Sequence, residues 1–465
     1  MKLKSITGLL ALSLTTSAFA DVTVDITGAT AFRAAALDTI KARYVASGQP
    51  FQFSHDQAVG GLNGATRAIF KGTFQGASGP VPGVTTIRTS FNGSVEGIKA
   101  LVDSPASDPT YYTDISGNFV TAAVAGGGET HTNTVGFAKA VAASQSEIAF
   151  SDVSKNSTPF ASASLQPSSP ACGVVVFTML TNEGSPITNV TAQQFRALAA
   201  AGFQPLSLFT GNASDTTNVF LTGRNDGSGT RTTYMAETGV GITTAIKQYV
   251  TVDSSSTALE AIQEVPAGGT NGSPLPVGSD IRAYVDGGQT VTQLVANAST
   301  VWGQDFAGNG GYSSGSTLRT DMGKTGASGV RVFDAAGADA FGETVRADLV
   351  TWLSLNDAVT ARNNGAILCG YNGVKLDGIA AYDGAGPIVE LTTMSAADKA
   401  KVTRGLYTAW GYQQMYRRGD ITTGDAVTVY DGIKNNIGSN LAAAGISLSD
   451  MTAVSRPNDG GTVAP

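Results

Sequence analysis

Histidine is almost missing from this chain, and the shortage removes two kinds of chemistry. His55 and His131 are the only two. Neither stands in a metal-ligand spacing, and most zinc sites draw on several His or Cys ligands. A Ser-His-Asp hydrolase needs a histidine beside its serine, and this chain has almost none to offer. Both histidines read as surface or structural residues. Cysteine is equally scarce, with Cys172 and Cys369 alone. In an oxidising compartment the two could form one disulfide; the alternative is two buried thiols. Spacing does not decide between these, because it says nothing about distance in the fold. Basic charge is also short, with 29 Lys and Arg against 36 Asp and Glu for a net charge of −7. No basic patch argues for nucleic acid, and no basic amphipathic helix argues for a membrane surface. After the first 20 residues, no run is long and apolar enough for a transmembrane helix.

Those first residues read as a leader. "MKLK" is a short basic segment and "SITGLLALSLTT" an apolar one too short to span a bilayer. "SAFA" ends in the small-x-small pattern of a cleavage site, which places the mature start at Asp21. No cysteine follows to carry a lipid anchor. The expectation is a soluble exported protein, periplasmic or secreted.

What the chain does have is an alternation of strand and helix signals separated by glycine. "DVTVDITG" (21–28) alternates polar and apolar residues, and the segment after it carries Phe32, Ala36, Leu37, Ile40 and Tyr44 at helical spacing up to Gly48. Thr30 stands where the N-cap belongs. "TTIRTSFNG" followed by a helix capped by Ser94 repeats the grammar. So does "NVFLTGR" before "SGTRTTYMAET", while "SEIAFSD" is a strand running into a polar turn. This predicts an α/β fold with a mainly parallel sheet. Gly-, Ser-, Thr- and Pro-rich stretches such as "GTFQGASGPVPG", "SPASDPTYYTDISGN" and "EVPAGGTNGSPLPVGSD" read as insertions on that scaffold.

Three of the helix starts carry a hydroxyl: Thr30, Ser94 and Ser228. Each is explained by capping alone. Together they suggest more, because a helix N-terminus has unpaired N–H groups and about half a positive charge, which suits an anion. In open α/β sheets such termini gather beyond the carboxyl ends of the strands.

The segment "RNDGSGT" (224–230) resembles the R-x-D-G-S-G-T signature of the periplasmic phosphate-binding proteins of the phosphate-specific ABC transporter. Other pieces follow in that family's order. "ITGATAF" is similar to its first turn, "FNGSVEGIKAL" to its second turn and helix, and "IAFSDVS" to its Ala-Ser-Asp segment. "CGVVVFTML" resembles its crossing strand, and "GLYTAWGYQQMY" the segment near its C-terminus. The likeness covers most of residues 22–235 and weakens over 236–385.

The resemblance implies a two-lobed type II periplasmic-binding-protein fold. Lobe I would comprise 21–180 and 370–465 after the 1–20 signal peptide, and lobe II 181–369. It implies a non-enzymatic, monomeric receptor that captures inorganic phosphate and hands it to an ABC permease, with no cofactor and no metal. Carried over by residue, Ser228, Gly229 and Thr230 would donate to the anion, and Arg224 would add charged forked donors. Asp226 would hold Arg224 from behind. Thr30, Ala31 and Ser94 would bind from the other lobe. Asp152 would accept the proton of monohydrogen phosphate, which sulfate lacks. For Asp152 the alternative is a surface residue in a polar turn. There are departures: one more residue separates Thr30 from Phe32 than in the family, Glu96 brings a negative charge beside Ser94, and Arg231 reads as a surface residue, the alternative being a second cation for the ligand. Two other functions stand beside this one. The same fold would also suit a surface or adhesive protein, and Ser228 would serve as a hydrolytic nucleophile only with a base that the sequence does not show.

Overall fold

The computed structural model describes residues 21–57, 61–102, 109–115, 120–122, 140–251, 257–265, 311–312, 314–327, 329–335, 338–376, 394–442 and 446–465. Residues 1–20, read above as a leader, His131 and most of the two longer Gly-, Ser- and Pro-rich stretches lie outside the described residues. Eleven strands carry the architecture: β1 (Val22–Gly28), β2 (Phe51–His55), β3 (Arg67–Gly72), β4 (Thr85–Ser90), β5 (Ile148–Ser151), β6 (Gly173–Thr181), β7 (Phe203–Pro205), β8 (Asn218–Leu221), β9 (Ala347–Ser354), β10 (Ile367–Tyr371) and β11 (Trp410–Arg418). Seven helices pack on them: α1 (Arg33–Ala46), α2 (Ser94–Ala100), α3 (Ala192–Ala201), α4 (Gly229–Glu237), α5 (Gly315–Met322), α6 (Leu355–Asn363) and α7 (Asp425–Ala442).

The strands run in the order β7-β8-β9-β6-β11-β5-β1-β4-β3-β2. Two strands make the change from one half to the other. The first part of β6 pairs with β11, from Gly173 opposite Gln413 to Val176 opposite Trp410. Its second part pairs with β9 and β10, where Met179 faces Trp352 on one side and Cys369 on the other. β11 likewise leaves β6 and pairs with β5 from Gln414 onward. All nine residues of β6 are buried, which is why "GVVVFTMLT" is a nearly continuous apolar run. The architecture is therefore two α/β halves joined by crossing strands, as the resemblance implied.

The sheet is mixed, which corrects the expectation of mainly parallel pairing. β1 is parallel to β4 and β5, and β8 is parallel to β9. The crossing strands are antiparallel to their partners, and β2, β3 and β4 form an antiparallel meander. Strand–helix alternation shows where crossovers occur but not how the strands between them pair.

Each half has its own core. In the first, α1 sends Leu37, Ile40 and Tyr44 against Phe53, Phe70 and Phe150, and α7 adds Val429, Ile433 and Ile437. In the second, Phe195, Phe220, Tyr234 and Trp352 pack around β8 and β9, and the core reaches Tyr407 and Trp410 beside the crossing strands. Gly48, with φ of 72°, stops α1 as expected. The cap at its other end differs from expectation. Phe32 is the N-cap and Thr30 lies two residues earlier, its carbonyl accepting the Arg33 N–H. His55 is buried, and its Nδ1 accepts the Gln57 N–H at 3.2 Å, so it is structural.

The cysteines settle as thiols. Both are free and buried, Cys172 in the first core and Cys369 in the second. Burial raises both thiol pKa values, that of Cys369 to about 11. An aromatic disulfide reagent is expected to leave the native protein unmodified. After unfolding without reductant it should titrate two thiols per chain; no released thiol would indicate a disulfide instead.

Candidate functional site

α4 is where the signature segment becomes a site. β8 ends at Leu221, and the chain turns through Arg224 before Ser228 caps the helix, its Oγ accepting the Arg231 N–H at 3.5 Å. This is the capping reading of Ser228 made literal. The Ser228 N–H is itself taken by the Asn225 carbonyl. Gly229 and Thr230 follow as the first helical residues, both buried.

The opposite half meets this turn directly. Ser94 opens α2, but as its first residue; Gly93 is the N-cap, with φ of 135°. Freed from capping, the Ser94 hydroxyl donates to Asp152 Oδ1, and the Asp152 N–H donates back to Ser94 Oγ at 3.2 Å. The N–H groups of Val95 and Glu96 are taken by the Gly227 carbonyl across the interface, at 3.1 and 3.4 Å. Two glycines permit this approach. A Cβ on Gly93 would overlap the Gly227 carbonyl, and one on Gly229 would overlap both Asp152 Oδ1 and Ser94 Oγ.

Asp152 is 2% exposed, so it is not a residue of a surface turn. Burial pushes its carboxyl up to about 6; the Ser94 hydroxyl and Arg224 oppose that shift, and Asp459 adds to it. Arg224 is buried as well, its Nε donating to the Tyr312 carbonyl at 2.9 Å. Burial lowers its pKa, while Asp357 and then Asp152 act to raise it. A cation, a carboxylate, a hydroxyl and a helix N-terminus thus converge where the halves touch.

Two expectations about this turn are corrected. Asp226 is exposed, and the principal cation acting on it is Arg231, not Arg224. Its place behind Arg224 is taken by Tyr312 and Asp357. Arg231 is buried, not on the surface, and its guanidinium donates to the Arg224 carbonyl at 3.4 Å. Glu96 packs over Gly227 and faces Lys99 at 3.9 Å, half-exposed.

Thr30 and Ala31 stand apart from this group. They border a cavity of about 340 Å³ between the halves, together with Arg33 on α1, Arg319 on α5 and Asp357 on α6. Asp357 pairs with Arg319 at 2.9 Å and accepts the Ser354 hydroxyl at 3.3 Å. Of these residues, Asp357 had a legible signal, a Ser-x-x-Asp helix start at Ser354. Nothing local marked Arg319 or Tyr312.

The C-terminal segment spans both halves on another side. Arg456 donates to Glu237 Oε2 at 3.1 Å and to the Trp410 carbonyl at 2.7 Å, and lies 4.5 Å over the Trp410 ring. Three residues on, Asp459 accepts the Ser154 N–H at 2.7 Å. Among the described residues, no helix is long and apolar enough to cross a membrane, and no group of His, Cys, Asp and Glu is arranged to hold a metal ion.

Fold and site together define a two-lobed α/β protein with a polar contact in its interlobe cleft. Among solved structures the chain is similar to an ABC-type phosphate transport receptor from Vibrio cholerae, with 10% identity and a TM-score of 0.39, over 90% of this chain and 96% of that one. It is also similar to PstS from Borrelia burgdorferi, with 11% identity and a TM-score of 0.32, over 90% and 96%. No family model matches the sequence, and no curated protein matches it.

Proposed function

We propose that this protein is an exported receptor that captures inorganic phosphate between its lobes for uptake by an ABC permease. The observation that carries the reading is the buried Asp152, set beside Ser94 and Arg224 at the N-terminus of α4. An anion site with a carboxylate in it suits an anion that brings a proton. Monohydrogen phosphate donates that proton to Asp152, while its other oxygens take the Ser94 hydroxyl, the Arg224 guanidinium and the donors of Ser228, Gly229 and Thr230. Sulfate has no proton to give and would leave two negative groups facing each other. Asp152 meets Gly229 directly, and the Gly227 carbonyl accepts the Val95 and Glu96 N–H groups of α2. Entry of phosphate therefore requires the lobes, which we take as 21–180 with 370–465 and 181–369, to part about β6 and β11.

The direct closure also favours a second reading, a surface or adhesive protein in which the lobes stay together. Calorimetry on the mature chain, stripped of ligand by unfolding and refolding, separates the two. Phosphate is expected to bind near neutral pH with sulfate giving little response. No heat with either anion would remove the receptor reading and leave the structural one.

A further inference from the structure

The turn that presents Asp152 is secured from a segment 305 positions further along the chain. Each of the three backbone N–H groups after Asp152 has a fixed acceptor. Val153 donates to the Ser151 hydroxyl at 3.2 Å, Ser154 to Asp459 Oδ2 at 2.7 Å and Lys155 to the Tyr416 hydroxyl at 2.8 Å. Ser151 and Tyr416 lie on β5 and β11, which pair beside the turn. Asp459 comes from a loop. It is buried, and burial pushes its carboxyl up, while the Ser154 N–H, the Ser157 hydroxyl and Arg456 oppose that rise. Gly411 on β11 lets the loop come this close. A Cβ there would press on the Asp152 carbonyl oxygen at 3.1 Å and on Asp459 Oδ1 at 3.2 Å.

The loop is closed on itself and rooted in the second half. Ser455 and Ala464 exchange backbone hydrogen bonds at 2.7 and 3.0 Å, and Val454 belongs to the second core. From this root the loop grips the last turn of α4. Arg456 donates to Glu237 and to the carbonyls of Thr408 and Trp410, and Glu237 also accepts the Thr408 hydroxyl. Gly460, with φ of 66°, lies so close to α4 that a Cβ would overlap the Ala236 carbonyl. Neighbouring residues of the loop therefore touch different elements, Asp459 the Asp152 turn and Gly460 the helix. α4 is tied to that turn at both ends, about 13 Å apart at 1.5 Å per residue. Gly229 meets Asp152 across the cleft, and Ala236 and Glu237 reach the same turn through the loop.

We propose that Asp459 is a positioning residue of the phosphate site, fixing the turn that presents Asp152, and that the loop Ser455–Ala464 is the strap that holds this turn in register with α4. Its effect on binding rests on the phosphate reading; its effect on Asp152 rests on the fold alone. Asp459 also acts on Asp152 as a second negative charge, against Arg224 and the Ser94 hydroxyl, which face Asp152 from the turn before α4 and from α2. Asp459 itself faces Ser154, Ser157, Arg456 and Tyr416.

The test compares Asp459→Ala with Asp459→Asn in the mature chain. Asparagine keeps an acceptor for the Ser154 N–H and alanine does not. Calorimetry with inorganic phosphate should show affinity falling about ten-fold in Asp459→Ala, the worth of one hydrogen bond to a charged group. Asp459→Asn should restore most of it. Gly460→Ala, which pushes the loop off α4 and leaves Asp459 in the chain, should lose affinity as alanine at 459 does. Carboxyl-carbon NMR on the anion-free protein reads the Asp152 titration directly, its signal assigned with Asp152→Asn. The midpoint should move to lower pH in Asp459→Asn, where a negative neighbour is gone, and further in Asp459→Ala, where the loosened turn also lets water reach Asp152. Full affinity in Asp459→Ala, or equal losses in the two variants, overturns the positioning role, and full affinity in Gly460→Ala overturns the strap. If the parent binds no phosphate, the phosphate reading falls and the midpoints decide alone. A further displacement in Asp459→Ala than in Asp459→Asn then supports the positioning role, and equal or absent displacements overturn it.

Discussion

Arg224→Ala is expected to abolish phosphate binding and to cost the ligand-free protein a substantial part of its stability. Arg224 is the cation facing Asp152, and it also faces Asp357. Truncating one member of a buried charge pair typically costs about 3–5 kcal/mol, because the partner is left charged and unsolvated. The loss in phosphate affinity should be roughly three decades, which corresponds to about 4 kcal/mol. Arg224→Lys separates the two effects. It keeps a charge near both carboxylates but loses the planar fork and the Nε donor to Tyr312. Most of the stability should return in that variant and little of the affinity. Urea unfolding gives the first quantity and calorimetry the second. Full phosphate affinity in Arg224→Ala would remove this arginine from the site.

Asp152→Asn is expected to move stability and selectivity in opposite directions. In the folded protein the carboxyl is pushed up to about 6, above the unfolded value of about 3.9. The native state therefore holds the proton longer than the unfolded chain does. The stability this contributes is whole below about pH 4 and is lost as pH rises through about 6. The gap between the two values corresponds to about 3 kcal/mol at neutral pH. Asparagine never ionises, so the variant should gain up to that amount at pH 7.5 and nothing at pH 4. Glu147, pushed up to about 7 by burial, titrates in the same direction; the difference between parent and variant cancels it. In binding, the amide can donate to an oxyanion, so the preference for phosphate over sulfate should collapse. The parent should lose that preference too below about pH 6, where a protonated Asp152 becomes a donor. A variant destabilised equally at every pH would mean that Arg224 keeps Asp152 ionised at low pH.

Such a trade-off is intelligible in physical terms. A carboxylate held against an anion site is destabilising until a protonated ligand arrives, and the cost is recovered only by the ligand that satisfies it. Asparagine at 152 is expected to make a protein more stable at neutral pH and less selective.

How far the site was legible follows from how local each feature is. The Ser228 cap and the buried Gly229 are set within one turn of α4, and "RNDGSGT" carries them in plain order. Gly48 ends α1 for the same kind of reason. Thr30 failed as a cap because capping depends on where the first helical turn starts. The chain reverses through Phe32, whose ring stacks on Phe150, a residue more than a hundred positions away. Asp226 lies in the turn before α4 and Arg231 in the first turn of that helix, and the sequence pattern does not say which of the two faces inward. Arg231 turns inward to the Arg224 carbonyl, which Gln248 also reaches, while the Arg224 side chain donates to the Tyr312 carbonyl, and all but Arg231 come from outside the helix.

By itself the sequence determined the apolar crossing strand, the strand–turn–helix units, the Ser228 cap and the scarcity of histidine. These depend on contacts a few residues apart or on composition. Only the tertiary structure decided that two thiols sit in separate cores, that the sheet is mixed, and that Asp152 lies buried against Ser94 and Gly229. It alone brought Arg33, Arg319 and Asp357 around one cavity. The reason is the same in each case: burial and charge pairing between segments far apart in the chain are set by how the two lobes close, and no local pattern encodes that distance.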